Sequence, residues 1–388
     1  MNLSLYIAKR LNFKGKIAMV CIAVSFLVMI IAVSVASGYR KEVRNGISSV
    51  SGDVLITTPD RNVFNEHRPI EASPMYLSYI EAVEAVDRVV PTVYRAGIIK
   101  DEDNMYGVVF KGTPDVVDTN ALAVSIPSSL AQKASVAIGD KLLTYFVGDK
   151  LKARQFYVAA VHETLVEIDN QYIIHASNAD LQRLNGWSDN EVSALEVILD
   201  DNFKSEIGIS DATSEIGSLI NAYSSEDERT VIATSVLSRF PQLFSWLDLI
   251  DFNVYFILLL MTIVAGFNMI SGLLIMLFEH ISTIGLLKSL GMTDRAISKV
   301  FLTSSAMLVG KGMLIGNVLA ILFCIIQGTT HILKLNPENY YVSFVPVNVD
   351  FGLILAADII SFAGIMLLLM IPCLFISKVD PAETVRVR

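Results

Sequence analysis

Few side chains in this sequence have the types and spacing that catalysis or metal binding requires. His162 and His175 flank Glu163, Glu167 and Asp169 on strands that we expect to be neighbours, and imidazole and carboxylate groups together can bind a metal ion. The remaining three histidines stand apart, without ligand spacing. We therefore favour ordinary surface or turn positions for these side chains, with a metal site as the alternative, and predict no catalytic residue.

The motifs of nucleotide binding and hydrolysis are missing from the sequence. No GxxxxGKS/T segment occurs, so the chain has no P-loop for a nucleotide phosphate. Gly310, Lys311 and Gly312 lie inside an apolar segment and do not form one. No GxSxG or HExxH segment occurs either. We predict that the chain is not an enzyme and holds no cofactor, so any ATP must be bound by a partner.

Binding chemistry is concentrated in residues 279–299, between two apolar segments. Apolar side chains recur there at helical spacing, at Ile281, Ile284, Leu287 and Leu290. Charged side chains border them, at Glu279, Lys288 and Arg295. The pattern predicts a short helix that docks into an apolar groove of another protein, with contact to lipid as the alternative. Gly291 is expected to end this helix in the left-handed conformation. The predicted contact residues are Glu279, Ile284, Gly285, Leu286, Leu287, Lys288 and Gly291.

The composition places the chain in a membrane. Hydrophobic residues make up 53% of the chain and charged residues 18%, which is too apolar for an ordinary soluble domain. Four segments have few or no charges over the length of about 20 residues that a membrane helix needs, at 17–37, 253–278, 300–327 and 351–376. The first is longer than the apolar part of a signal peptide and precedes a poor cleavage site, so we predict a retained span.

The distribution of basic residues predicts the orientation. Lysine and arginine cluster before the first apolar segment, after the second and after the fourth, and basic loops stay in the cytoplasm. Both termini and the loop at 279–299 are therefore expected in the cytoplasm, with residues 38–252 and 328–350 outside. Residues 1–16 have the apolar stripe of an interfacial helix, and residues 377–388 are expected to form a cytoplasmic tail.

Residues 38–252 are predicted to form one large α+β domain, inserted between the first and second of four membrane helices. Strand and helix patterns alternate at about 50–112 and 192–235, whereas 113–191 is rich in strand patterns. We predict a βα core interrupted by a β-rich lobe, which gives two subdomains. The domain is acidic and has no cysteine. Its charge argues against nucleic acid as a ligand, and its stability must come from an apolar core.

The connections between this domain and the flanking membrane helices are short. Residues 38–50 and 238–253 contain few helix breakers apart from Pro241, so helices are expected to continue from the membrane into the domain. Such helices would transmit movement; the alternative is that they only tether the domain.

Two charges lie within the predicted membrane helices, where an ionised group is costly. At about 1.5 Å per residue, Lys311 and Asp358 differ in depth by about 12 Å, which is beyond the reach of a lysine side chain. We therefore favour a path for Lys311 to the membrane surface, or to a water-lined seam between two subunits, over a direct bridge. The neighbouring Gly312 and Gly316 predict a close contact between helices.

These segments together resemble permeases of the FtsX/MacB type, the ABC transporter subunits with four membrane spans. The resemblance is carried by IGLLKSLGMTDRAI and the preceding FNMISGLLIML, and by the Pro-Ala-Glu-x-x-Arg pattern at 381–386. The opening LSLYIAKRL and the segments ASGYRKEVRNGISSVSGDVLI, YGVVFKG and RQFYVAAVHETLVEIDNQYIIH are similar to the lipoprotein-releasing branch. Lys311 departs from the family, which keeps small and apolar residues there.

The resemblance implies a permease of the cell inner membrane that pairs with a second permease subunit, identical or different, and with a dimeric cytoplasmic ATPase. In this family, closure of the ATPase pushes on the coupling helices and rocks the exterior domains. The lipoprotein-releasing branch implies that a lipidated protein passes from the inner membrane to a periplasmic carrier. The alternatives are MacB-like efflux, FtsX-like activation of a cell-wall hydrolase and, outside transport, a membrane sensor.

Overall fold

The computed structural model of the chain describes residues 16–373, except 102–103, 114–121, 149–150, 163–171, 226–227, 337–339 and 341. The chain divides into two compact units. The helical unit contains residues up to 41, 246–334 and those from 344 onward; the α/β unit contains 42–245 and 335–343. The predicted interfacial helix, apart from Lys16, and the predicted tail at 377–388 lie outside the described residues.

The described helices include four that are long enough to span a bilayer. In chain order the helices are α1 (Lys16–Ser51), α2 (Leu77–Glu81), α3 (Ser128–Lys133), α4 (Asn178–Asn185), α5 (Glu206–Tyr223), α6 (Val236–Arg239), α7 (Pro241–Glu279), α8 (Ile281–Ser289), α9 (Asp294–Thr330) and α10 (Phe351–Cys373). By length and composition, α1, α7, α9 and α10 can cross a membrane. The four predicted spans are therefore confirmed as helices.

Apolar side chains of the four long helices form one core in the helical unit. It includes Phe26 of α1, Met269 of α7, Phe301 of α9 and Leu369 of α10, all buried. Hydroxyl groups also link the helices, since Thr262 Oγ1 of α7 lies 3.1 Å from Ser361 Oγ of α10. Many other apolar side chains of these helices are exposed, as expected for surfaces that face lipid.

Glycine residues allow α9 to approach α1 closely. A Cβ atom at Gly316 would lie 2.5 Å from the carbonyl oxygen of Ala23, and one at Gly312 would lie 2.7 Å from Ile22 Cγ2. Both distances are shorter than a carbon atom tolerates, so only glycine fits. The predicted helix contact at this pair is confirmed, and its partner is α1.

The α/β unit contains a four-stranded antiparallel sheet. The strands of the unit are β1 (Val54–Thr57), β2 (Ile70–Glu71), β3 (Val86–Thr92), β4 (Tyr94–Asp101), β5 (Asn104–Thr113), β6 (Ala123–Pro127), β7 (Lys141–Phe146), β8 (Lys152–His162), β9 (Tyr172–Ser177), β10 (Glu191–Val192), β11 (Ala194–Leu199) and β12 (Ile232–Ser235). The sheet has the order β12-β1-β11-β3, and α5 contacts β12. Strands from both predicted core segments thus share one sheet.

The other large element of this unit is a closed barrel with the order β4-β5-β9-β6-β8-β7. Its interior contains Phe110, Phe146 and Phe156, which are fully buried, and the rings of Phe110 and Phe156 lie 4.8 Å apart. Alternating burial along β7, with Leu142, Thr144 and Phe146 buried, is what a half-exposed barrel strand requires.

The barrel begins earlier in the chain than the lobe that we predict at 113–191. β4 and β5 pair with each other and with barrel strands, not with the four-stranded sheet. The predicted strand at 89–99 is divided at Val93, whose amide is bound by Asn178 Oδ1 at 3.1 Å and whose carbonyl accepts from Gly112 at 2.7 Å. Periodicity identifies these strands but not their partners, because the pairing depends on contacts that are distant in sequence.

The helices at both connections are continuous, as predicted. α1 is unbroken from Lys16 to Ser51, so the apolar segment and residues 38–50 form one helix. α7 begins at Pro241 and contains residues 241–253 together with the second apolar segment. Proline suits a first helical position because its missing amide would have no partner there.

Candidate coupling site

The predicted docking helix is present as α8, between two of the long helices. Only His280 separates it from α7, and four residues, 290–293, separate it from α9. Thr293 caps α9, where its Oγ1 accepts from the Ala296 amide. Both connections are short, so displacement of α8 must move the ends of α7 and α9.

The end of α8 is fixed by a left-handed glycine. Gly291 has a φ angle of 89°, its amide donates to the Lys288 carbonyl at 2.9 Å, and the Met292 amide donates to the Leu287 carbonyl at 3.0 Å. These two bonds form a Schellman motif. Gly291 thus has the conformation that the sequence predicts, and the chain turns sharply into α9.

One side of α8 faces the chain's own core. Ile284 is 1% exposed, Gly285 is buried, and Ile284 packs in the same cluster as Ile297 and Phe301 of α9. Leu287 is half-buried against this cluster. Ile284 and Leu287, which we predict as contacts of a partner, therefore hold α8 against its own helices.

The opposite side of α8 presents two leucines. Leu286 is 55% exposed and Leu290 is 75% exposed, and residues four apart lie on the same face of a helix. Glu279 is also exposed, at the end of α7. Lys288 is 10% exposed and its Nζ lies 2.9 Å from Asp294 Oδ1, so this lysine stabilises the turn. The face available to another protein is centred on Leu286 and Leu290.

The predicted contact residues lie on two sides of α8, since Ile284 and Leu287 face its own core whereas Leu286 is exposed. Apolar residues occupy several sides of α8, and both the face with Ile284 and Leu287 and the face with Leu286 and Leu290 have helical spacing. The choice between them depends on α9, whose Ile297 and Phe301 cover one face. No signal within residues 281–290 reports that tertiary contact.

The two membrane charges are in different environments. Asp358 of α10 is 7% exposed and accepts from Asn317 Nδ2 of α9 at 2.5 Å. Lys311, six residues before Asn317 in α9, is exposed. The structure therefore pairs Asp358 with Asn317, a residue that sequence reasoning missed. An amide within an apolar span is the signal that could have identified it, because polar side chains link membrane helices.

This pairing predicts that two substitutions lower the free energy of unfolding by different amounts. Asn317→Leu leaves a buried carboxyl group without its donor and should lower the free energy of unfolding by about 1–3 kcal/mol. Asp358→Asn preserves shape and an amide hydrogen bond, so its effect should stay below about 1 kcal/mol. Thermal unfolding of the purified full chain in one detergent compares them. Equal loss in both variants would contradict this prediction, because Asp358→Asn keeps the hydrogen bond that Asn317→Leu removes.

The histidines of the metal alternative are close together on the barrel. The rings of His162 and His175 are 4.7 Å apart, and Ser125 Oγ lies 2.8 Å from His162 Nδ1. Burial, His162 and Lys111 lower the pKa of His175 to about 4, so it is neutral at pH 7. Within the part of the chain that the structure describes, three metal-ligating side chains do not come together. Glu163, Glu167 and Asp169 lie outside that part.

Two family descriptions match most of the chain. Residues 17–207 match the MacB-like periplasmic core domain, and residues 255–381 match the FtsX-like permease C-terminal region. The first match covers α1 from its second residue, three strands of the four-stranded sheet (β1, β3 and β11), the barrel and the first two residues of α5. The second covers most of α7 and all of α8, α9 and α10. The two matches are those expected from the sequence resemblance.

Curated relatives match over nearly the whole chain. The chain is 26% identical over 413 residues to a protein of Neisseria meningitidis serogroup B named lipoprotein-releasing system transmembrane protein LolC, with 97% of this chain and 96% of that protein covered. It is 20% identical to lipoprotein-releasing system transmembrane protein LolE of Haemophilus influenzae, with 95% and 93% covered. These similarities extend over all four long helices.

Among solved structures, part of this chain is similar to the periplasmic region of MacB from Actinobacillus actinomycetemcomitans. That match has 14% identity and a TM-score of 0.31, and it covers 51% of this chain and 95% of that chain. The extracellular domain of the transporter YknZ matches with 14% identity and a TM-score of 0.28, covering 46% of this chain and 98% of that chain.

Proposed function

Because this chain belongs to the FtsX/MacB-like family of ABC transporter permeases, we propose that it uses a partner ATPase to release lipoproteins from the inner membrane. The family and the four apolar helices make it an inner-membrane protein. In the proposal, its termini and α8 lie in the cytoplasm and the α/β unit lies in the periplasm. The chain supplies no nucleotide-binding motif, so hydrolysis takes place in the partner.

The observation that carries the proposal is the exposed face of α8. Leu286 and Leu290 lie outside the core at the turn between two long helices. Two leucines on one helix face are the usual anchors for an apolar groove of another protein. The predicted cytoplasmic position of α8 supports the ATPase as that protein. When the ATPase closes, its groove would push α8 and thereby α7 and α9.

Lipoprotein is proposed as the substrate because the curated relatives that match nearly the full chain carry that function in their names. The α/β unit is large enough to contact both a substrate and a soluble carrier. A second permease subunit, either another copy of this chain or a related chain, would complete the complex, since one ATPase dimer offers two grooves.

Purification of the tagged full chain from its native membrane tests this function. Mass spectrometry of the co-purified proteins should identify an ATPase with a P-loop and an N-terminally acylated protein. A cell-wall hydrolase in place of the acylated protein would support activation of that hydrolase, and an outer-membrane channel would support efflux. Either result would overturn lipoprotein release, and absence of an ATPase would overturn the coupling role of α8.

A further inference from the structure

The C-terminal end of α1 lies inside the α/β unit, and its terminal carbonyl groups all have hydrogen-bond donors. The accepting groups are the carbonyls of Ser48, Ser49, Val50 and Ser51. The Gly52 amide donates to the first at 2.7 Å. Lys111 Nζ donates to the next two at 3.1 and 2.9 Å, and Arg239 Nη1 donates to the last at 3.1 Å. The last four carbonyls of a helix lack donors within that helix, and side chains from distant segments supply the donors for three of these four.

A buried ion pair anchors this end of the helix. Lys111 Nζ lies 2.9 Å from Glu196 Oε2, and the two side chains are 5% and 3% exposed. The Tyr94 hydroxyl donates to the Glu196 carboxylate, and its oxygen lies 3.3 Å from the Val50 carbonyl oxygen. Burial and the charge of Glu196 raise the pKa of Tyr94, so its hydroxyl stays a donor. We call Tyr94, Lys111, Glu196 and Arg239 the α1 anchor.

The α1 anchor joins several elements of the α/β unit. Lys111 and Tyr94 belong to barrel strands β5 and β4, whereas Glu196 belongs to β11 of the four-stranded sheet. Arg239 is the last residue of α6, two positions before α7 begins at Pro241. The end of α1 is therefore bound to the barrel, to the sheet and to α6, the short helix that precedes α7 in the chain.

The hydrogen bonds to the end of α1 are oriented to resist a force along the axis of this helix. Carbonyl groups at a helix C-terminus point along its axis, so donors to them resist displacement of α1 along that axis. Hydrogen bonds from charged donors are about twice as strong as neutral ones. A surface cap would satisfy the carbonyls without a buried ion pair, which is costly to desolvate. The desolvation cost of the buried Lys111–Glu196 pair indicates that this pair does more than cap the helix.

We propose that the α1 anchor is the joint through which movement of α1 reaches the exterior domain. This inference rests on the proposed function, because it requires ATP-driven movement. It also assigns a role to the YGVVFKG segment, in which Lys111 reaches the helix end. Gly112 leaves room there for Asn178, whose Oδ1 would lie 2.1 Å from a Cβ atom. The four anchor residues position the domain and do not contact ATP.

Energy transfer in nanodiscs containing the full permease–ATPase complex tests the joint. A donor dye is attached at Glu215→Cys, an exposed position of α5, after replacement of Cys21, Cys324 and Cys373. The acceptor is a headgroup-labelled lipid. ATP with vanadate should change the transfer efficiency in the wild type. Lys111→Met with Glu196→Gln should reduce that change at least tenfold while ATP hydrolysis stays within twofold.

A matched control is the buried pair Arg95–Glu66 of the same unit, whose Arg95 Nη2 lies 2.8 Å from Glu66 Oε2. Arg95→Met with Glu66→Gln removes a similar pair away from α1 and should leave the signal within twofold. The conservative single variant Lys111→Arg should keep most of the wild-type change in transfer efficiency. If the anchor double variant does not assemble, Tyr94→Phe, which removes one hydroxyl, should reduce the change about threefold.

If the anchor variants show the same ATP-dependent change in transfer efficiency as the wild type, the α1 anchor is not the joint. The proposed function would be unaffected by that result. An equal loss in the Arg95–Glu66 control would also overturn the joint, because the effect would then be general to buried pairs. No response to ATP in the wild type would instead overturn the proposed function, and the joint with it.

Discussion

Replacement of both exposed leucines of α8 by aspartate should abolish co-purification of the ATPase. Leu286→Asp and Leu290→Asp each remove an apolar side chain whose burial in a groove contributes about 1.5–3 kcal/mol. Together they cost at least about 3 kcal/mol, or roughly a hundredfold in affinity. The charges add a desolvation cost. The amount of ATPase retained on the tagged full chain measures this effect.

The same variant should insert into the membrane normally, since Leu286 and Leu290 lie outside the core. Leu151→Asp is the matched control, because Leu151 is 68% exposed in the α/β unit and should retain the ATPase. Leu287 is a poor position for this test, since it packs against the core cluster and its loss would also disturb the fold. Full retention of the ATPase by the double variant would contradict docking at this face.

Gly316→Leu should disrupt the helical unit. A side chain at this position would meet the backbone of α1, with Ala23 O at 2.5 Å and Leu27 N at 3.1 Å from the first added carbon. Backbone atoms cannot move aside without separating the helices, so the loss in stability should be about 3 kcal/mol or more. The expected result is a lower thermal midpoint of the detergent-solubilised chain and little protein in the membrane.

Gly310→Leu provides the control for this prediction. Gly310 lies in the same helix, and a Cβ atom there has no neighbour within 4 Å among the described residues. The substitution should therefore leave the thermal midpoint within about 2 °C, since a change of 1 kcal/mol shifts it by a few degrees. Similar losses in both variants would show that glycine is required for helix flexibility and not for close contact with α1.

The membrane topology could be predicted because its signal is local. A span needs only a sufficiently long apolar segment, and the described residues of each of the four such segments lie in a long helix. The left-handed Gly291 could also be predicted, since a glycine after an apolar helix commonly has this conformation. In both cases the residues that determine the structure are neighbours in sequence.

The features that could not be predicted depend on distant contacts. Strand patterns at 89–99 and 105–111 predict β structure, but only the pairing of β4 with β7 and of β5 with β9 places residues of both segments in the barrel. The partner of Asp358 is Asn317, 41 positions away, and Lys111 and Glu196 are 85 positions apart. Pairs of residues this far apart cannot be predicted from the pattern of neighbouring residues in a single sequence.

Cross-linking from α8 tests the central claim most directly, namely that this helix is where the ATPase engages the permease. A single cysteine at Leu290, 75% exposed, is compared with one at Ile332, which is 66% exposed in the segment between α9 and α10; the three native cysteines are replaced in both. We expect that Leu290→Cys cross-links in intact membranes to a protein with a P-loop and that Ile332→Cys does not. A product from Ile332→Cys alone, or from neither position, would contradict the central claim.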